Sequence, residues 1–164
     1  MDHVVYLDAR ANELKKLIAN NKSMIIRGAM GRKLPYGRVN IDDVLYFINN
    51  NAEGIIRAKG VTSVINSEKM GKEESLALLE KYQNKLQLTD KQFQRWRAKR
   101  YLVLIEVTDV QKIKSFAFNK SKYRTMDDWL IVKKIENVRS LHLIPSKIFE
   151  ITILYLIGVI KNVN

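Results

Sequence analysis

The chain of 164 residues contains no cysteine. Without thiols it can form neither a disulfide framework nor a cysteine-ligated zinc site, and it has no thiolate nucleophile. Prolines and glycines are also scarce, at two and seven residues, which argues against long flexible linkers. The two histidines, His3 and His142, are too far apart in sequence to form a local metal-binding motif. We therefore expect no bound metal, no cofactor, and histidines with structural or surface roles.

Signals for secretion and for membrane insertion are missing as well. The first ten residues, MDHVVYLDAR, lack the basic region and the apolar region of a secretory signal. An apolar run at residues 148–160 is shorter than the roughly 20 residues that cross a bilayer, and it contains Glu150. We expect a cytoplasmic protein that does not contact membranes.

Length and composition are those of one globular domain. Apolar residues make up 46% of the chain and charged residues 28%, which excludes disorder over most of its length. A chain of this size normally forms a single hydrophobic core. We expect the domain to span residues 1–140, followed by an apolar segment at residues 141–164. That segment packs either on its own domain or on a second subunit, in which case the protein is a homodimer.

Positive charge is in large excess and is clustered. The formal net charge is +12, and residues 81–124 hold twelve basic residues against three acidic ones. A second stretch, residues 22–38, contains five basic residues and no acidic residue. Clustered positive charge attracts a polyanion, because each neutralised phosphate releases counterions. The clustering favours a nucleic-acid partner. The alternative is a solvated basic surface that only keeps the protein soluble.

Hydrophobic periodicity and turn residues predict short strands mixed with helices. Asp8 is the predicted N-cap of the first helix, and Thr89 with Gln92 forms a capping box before a later one. Gly60 is suited to a β-bulge. The run YLVLIEVT is a near-continuous apolar stretch of strand length. We predict strands at residues 3–7, 22–29, 44–48, 54–65 and 101–108, and helices at residues 8–21, 67–86 and after Thr89. This mixture suits a small α+β barrel.

Four segments, taken in order, resemble the PUA-like superfamily and, within it, the ASCH and EVE domains. They are KSMIIR (from Lys22 to Arg27), DDVLYF, GIIRAKGVTSVI and RWRAKRYLVLIEV. The order is also similar to that of an uncharacterised prokaryotic PUA-like family. The resemblance implies an α+β fold, a small PUA-like, ASCH-type mixed β-barrel with flanking helices. It further implies that a Lys and an Arg of the second strand reach a cleft that receives RNA or a modified base.

The candidate cleft follows from this resemblance and from the basic loop GRKLPYGR. Its expected lining is Lys22, Arg27, Tyr36 and Arg38, with the charge of Lys22 exposed. Tyr36 would stack on a base, since aromatic rings hold single-stranded bases in this way. The expected partner is RNA, or single-stranded or modified nucleic acid, whose unstacked or flipped base is read by hydrogen bonds.

A second basic group lies just before the apolar strand. We expect these side chains to contact phosphates, which gives affinity without discriminating between nucleic-acid sequences. They are Arg95, Arg97, Lys99 and Arg100. Trp96 lies among them, and the sequence leaves open whether it is a core anchor or a stacking platform.

Two other functions remain as alternatives. The chain also resembles a small bacterial amidohydrolase of the ASCH type that acts on acetylated cytidine and uses a Lys, a Thr and a Glu. Lys22 matches the Lys, but the Thr position falls on Ile25, which has no hydroxyl, so we expect binding rather than catalysis. The Glu could be Glu68, Glu74 or Glu106, and the sequence does not choose among them. The third function is a protein-interaction module that uses the apolar segment at residues 141–164.

Overall fold

The computed structural model describes residues 1–123 and 127–140. Within these ranges the chain forms six strands and three α-helices. In chain order they are β1 (Asp2–Leu7), α1 (Glu13–Ile18), β2 (Met24–Ala29), β3 (Val44–Asn49), β4 (Ile55–Lys69), α2 (Lys72–Leu86), α3 (Asp90–Trp96), β5 (Tyr101–Ala117) and β6 (Trp129–Lys133). Short 3-10 helices follow at Lys120–Lys122 and Ile135–Val138.

The strands form one mixed sheet that curls into a half-barrel. Their order is β2-β5-β4-β3-β1-β6, and β1 runs parallel to β3 while the other neighbours are antiparallel. The long β4–β5 pair has three register shifts, and shifts of this kind bend a sheet. One of them falls at Gly60, as predicted. A side chain there would meet Val107, because an added Cβ would lie 2.6 Å from Val107 Cγ1. The predicted α+β barrel is confirmed.

Alternation along β2 places apolar side chains on both faces of the sheet. Ile25 points to the inner face, where it packs with Leu14 and Leu17 of α1. Met24 and Ile26 point to the outer face, which α2 and α3 cover. Because both faces are covered, β2 and the first half of β5 are buried, as a near-continuous apolar run predicts. The helices therefore hold the ends of β2 and β5 in fixed positions.

Two predicted helix starts differ from the structure. Helix α1 begins at Glu13 rather than after Asp8, because the Asp8 carboxylate instead accepts hydrogen bonds from the amides of Arg10 and Ala11 and forms a tight turn. Helix α2 begins at Lys72, because β4 continues to Lys69 in pairing with β5. The capping box of Thr89 and Gln92 is confirmed, with α3 starting at Asp90.

The sequence also led us to expect that the protein does not contact membranes and that its C-terminal segment packs on the domain or on a second subunit. No helix in the described residues is long and apolar enough to cross a membrane. The apolar segment at residues 141–164 lies outside the described residues, so its packing on the domain or on a second subunit stays a prediction.

Candidate nucleic-acid interface

A cleft opens at one end of the sheet, where β1 and β2 end and β5 begins. It consists of two adjoining cavities of about 240 and 130 Å³. We call it the inner cleft, and its lining residues are Tyr6, Asp8, Glu13, Ile26, Arg27, Gly28, Lys33, Leu34, Pro35, Asn50, Gln92, Arg95, Trp96, Tyr101, Val103, Asp127 and Asp128. A third cavity of about 630 Å³, the outer groove, continues past Arg95 toward Ala9, Asn51 and Lys91. The outer groove shares Gln92 and Arg95 with the inner cleft, so the two adjoin.

Arg27 is the fixed cation of the inner cleft. Its Nη1 donates to the Ile26 carbonyl at 2.7 Å, and its Nη2 donates to the Tyr6 carbonyl. Its Nε lies 3.2 Å from Asp128 Oδ2, in an ion pair without hydrogen-bond geometry. The guanidinium also lies over the ring of Trp129, 5.9 Å from its centre. These contacts hold the group at the cleft wall with little freedom to move.

Lys22 does not lie at the cleft surface, contrary to the expectation of an exposed charge. Its side chain is fully buried; Nζ lies 3.2 Å from Glu13 Oε1 and donates to the Leu86 carbonyl. The residue precedes β2, and its ammonium lies between Glu13, at the start of α1, and the Leu86 carbonyl, at the end of α2. Glu13, and not Lys22, reaches the lining of the inner cleft.

Burial and pairing act on this pair in opposite directions. Burial lowers the pKa of Lys22 by more than the charge of Glu13 raises it. Burial alone would raise the pKa of Glu13, but Lys22, Arg27 and a hydrogen bond from the Asp8 amide together lower it. Because its pKa is lowered, Glu13 is ionised at neutral pH, where it pairs with the buried Lys22.

The basic loop approaches the cleft without placing every predicted residue in it. Leu34 and Pro35 line the inner cleft. Tyr36 lies behind the lining and meets Tyr101 edge to face, with 5.2 Å between ring centres. Tyr101 is thus the ring that faces the cavity, and Tyr36 supports it. Arg38 is exposed on the loop, outside the lining of the inner cleft.

The second basic group divides between the cleft and the loop that follows α3. Arg95 is exposed, lines all three cavities and lies over Trp96 at 4.5 Å from the ring centre. Trp96 is mostly buried against the outer core, yet it still contributes to the cleft wall. The remaining three follow on the loop at the start of β5, with partly or fully exposed side chains: Arg97, Lys99 and Arg100.

Sequence reasoning missed the acidic residues of the cleft. Asp8 and Glu13 come from either end of the turn before α1, and Asp127 and Asp128 precede β6. Lys33 Nζ lies 2.9 Å from Asp127 Oδ1, and the hydrogen bond and charge of Asp127 raise the pKa of Lys33. The cleft is of mixed charge and not uniformly basic. The Asp8 turn was the one local signal that could have pointed to it.

A buried polar chain lies directly behind Arg27. His3 Nε2 is 3.0 Å from Asp43 Oδ2, and the indole Nε1 of Trp129 donates to His3 Nδ1 at 3.0 Å. His3 and Trp129 are both fully buried. His3 therefore has a structural role, one of the two roles expected from the sequence. In the described residues, no group of three or more His, Asp or Glu side chains is placed to hold a metal ion.

Comparison with solved structures identifies the fold to which this sheet and cleft belong. Two single-substitution variants of the ASCH protein of Zymomonas mobilis, a tyrosine-to-phenylalanine and a serine-to-alanine variant, each superpose with a TM-score of 0.62 at 13% identity. The match covers 83% of this chain and 93% and 91% of those chains. A further ASCH structure from the same organism gives a TM-score of 0.54 at 13% identity, over 70% of this chain and 71% of that one.

The fold is therefore that of PUA-like domains of the ASCH type, as the sequence resemblance implied. No known family profile and no curated protein sequence matches the chain. At this level of identity the comparison concerns the fold alone, so the function has to be argued from the cleft.

Proposed function

We propose that the protein binds RNA, or another nucleic acid with an unpaired or modified base, in the inner cleft. The observation that carries this proposal is the arrangement of Arg27 and Arg95 around one cavity, next to the exposed basic loop. Arg27 is immobilised by two carbonyl groups, so it would lose little freedom when it binds a phosphate. Arg95 is exposed and lies over Trp96, so its guanidinium can contact the backbone of a ligand at the cleft mouth.

The aromatic and apolar part of the lining favours a base as the second element of the ligand. Tyr101, Leu34, Pro35 and the edge of Trp96 contribute to the wall of the cavity. Stacking on such a surface contributes roughly 1–3 kcal/mol per base and requires a base that is not stacked in a duplex. We therefore infer a preference for single-stranded over double-stranded RNA, with the outer groove as the path for the neighbouring nucleotides.

The test of this function is the salt dependence of RNA binding. The affinity for a single-stranded oligonucleotide should fall steeply with salt, because each neutralised phosphate releases counterions. Replacing Arg95, Arg97 and Arg100 with alanine should weaken binding and reduce the slope of log K against log salt by about 0.7 for each phosphate that is no longer neutralised. Fluorescence anisotropy with a labelled oligonucleotide measures both quantities.

A matched control separates the site from net charge. Replacing Lys59, Lys114 and Lys134 with alanine removes the same charge from side chains outside the lining of the cleft. This control should keep most of the affinity. Equal decreases in the two triple variants would mean that binding follows overall charge, and binding insensitive to salt would reject the proposal.

The buried Lys22–Glu13 pair favours one second candidate, a hydrolase that acts on a modified nucleoside. Glu13 lines the cleft, Lys22 is buried behind it, and both have shifted pKa values, a feature that is frequent at catalytic sites. Against this candidate, Ile25 is fully buried in the inner core and offers no hydroxyl. Release of acetate from an acetylated cytidine by the wild-type protein but not by Glu13→Gln would establish it.

A further inference from the structure

The polar chain behind Arg27 connects four elements of the fold. Asp43 precedes β3, His3 lies on β1, Trp129 begins β6, and Arg27 lies near the end of β2. The contacts run without a gap from carboxylate to imidazole, from imidazole to indole, and from the indole ring to the guanidinium. Asp128, which pairs with Arg27, directly precedes Trp129 in sequence. The guanidinium of Arg27 therefore contacts both the Trp129 ring and the Asp128 carboxylate.

We propose that His3 is a positioning residue for the cleft: through its hydrogen bond to Trp129 it sets the orientation of Arg27 for ligand binding. The proposal rests on the function proposed above, since it assigns a role within the same site. His3 does not contact the cleft itself. Its effect is transmitted through the indole, which is held on one edge by His3 and meets the guanidinium with its face.

The hydrogen bonds define the form of the imidazole that this role requires. Because the Trp129 indole can only donate, His3 Nδ1 must be the acceptor, and Nε2–H then donates to Asp43. A proton added to Nδ1 would remove that acceptor and release Trp129. The charged groups that face the imidazole are Asp43, Asp2 and the Met1 ammonium. Burial lowers the pKa of His3 more than Asp43 raises it, so the imidazole is neutral at pH 7.

The same shift gives the sign of the pH effect on stability. A histidine whose pKa is lowered on folding binds more protons in the unfolded chain, so stability falls as the pH drops below the ordinary value of 6.5. Above that value the imidazole is neutral in both the folded and the unfolded chain, so His3 adds no pH dependence to stability. If His3 positions the cleft, RNA affinity should decline over the lower part of this acid range, where the folded protein takes up the proton.

Two conservative substitutions test the role separately from stability. The amide oxygen of His3→Asn stands near the position of Nδ1 and keeps an acceptor for Trp129, whereas the amide of His3→Gln reaches the position of Nε2 and keeps a donor for Asp43. Each variant loses one buried hydrogen bond, so we expect comparable decreases in melting temperature. The affinity for single-stranded RNA should fall about three- to tenfold in His3→Gln and stay within about twofold of wild type in His3→Asn.

A measurement on the ligand-free protein keeps the inference separate from the proposed function. In ¹⁵N-resolved NMR spectra, the Trp129 Nε1–H and Arg27 Nε–H resonances should shift together in His3→Gln and remain near their wild-type positions in His3→Asn. An Arg27 resonance that is unchanged in His3→Gln would overturn the inference, and so would equal decreases of affinity in both variants. If the wild-type protein binds no RNA, the proposed function fails, while the Arg27 resonance still decides whether His3 positions this side chain.

Discussion

Replacing Lys22 with methionine should lower the free energy of unfolding by about 3–5 kcal/mol, the usual cost of removing one partner from a buried ion pair. The reason is that Glu13 stays behind as a buried carboxylate, 3.2 Å from where the ammonium was, and the Leu86 carbonyl loses its donor. Urea denaturation at pH 7 measures this decrease. The exposed Lys22 charge that the sequence led us to expect would instead leave stability nearly unchanged when removed.

The double variant Lys22→Met/Glu13→Gln is the matched control. It removes both charges and keeps an acceptor for the Asp8 amide, so it should recover a large part of the missing stability. A decrease below about 1 kcal/mol in the single variant would indicate an ordinary surface pair and contradict the buried placement. The contribution of Glu13 to the stability of the wild-type protein should also depend on pH. It is present above the ordinary value of 4.5 and disappears as the pH falls through the lowered pKa of the folded state.

Replacing Asp127 and Asp128 with asparagine should strengthen RNA binding by about tenfold at low salt. The Asp127 carboxylate lies 2.9 Å from Lys33 Nζ, and the Asp128 carboxylate lies 3.2 Å from Arg27 Nε. At these positions they compete with phosphate for the same cations. Removing two negative charges near a bound phosphate removes a repulsion of about 1 kcal/mol or less for each charge at such distances. The increase should shrink as salt rises, because the effect is electrostatic. Titration of single-stranded RNA at two salt concentrations measures it.

Asp109→Asn provides the comparison for this experiment. Asp109 is exposed on β5 outside the cleft lining, so its removal changes the net charge without touching Lys33 or Arg27. A single charge removed there should alter the affinity by less than about twofold. If the affinity of the double variant were unchanged or lower, the two carboxylates would not be competing with the ligand.

Much of the fold could be predicted from the chain because the deciding signals are local. The apolar run from Tyr101 to Thr108 indicated the buried half of β5, and the capping box at Thr89 indicated the start of α3. The register shift at Gly60 followed from the absence of a side chain. The boundaries that were wrong depend on distant partners. β4 runs to Lys69 because β5 pairs with it there, and no local pattern contains that information.

Two predicted residues line the candidate site: Arg27, which the family resemblance indicated, and Arg95, which the basic group before β5 indicated. Arg27 belongs to the same face of β2 as Ile25, which carries it to the inner end of the sheet. The acidic residues of the cleft form two groups more than a hundred positions apart in sequence, Asp8 with Glu13 and Asp127 with Asp128. They meet because β6 pairs with β1, so that Tyr6 donates its amide to the Asp128 carbonyl at 3.0 Å. The burial of Lys22 likewise depends on partners that are distant in sequence or structure, Glu13 of α1 and the Leu86 carbonyl at the end of α2.

The most direct test of the central claim is to map single-stranded RNA onto the protein by NMR, following the side-chain signals of arginine and tryptophan during titration. The account predicts that the largest changes fall on Arg27 Nε–H, Arg95 Nε–H and the Trp96 indole, which line one cavity. Changes in the Trp129 indole should be smaller, because it is fully buried and feels the ligand only through Arg27. Changes concentrated on surfaces away from these residues, with Arg27 and Trp96 unaffected at saturation, would contradict it.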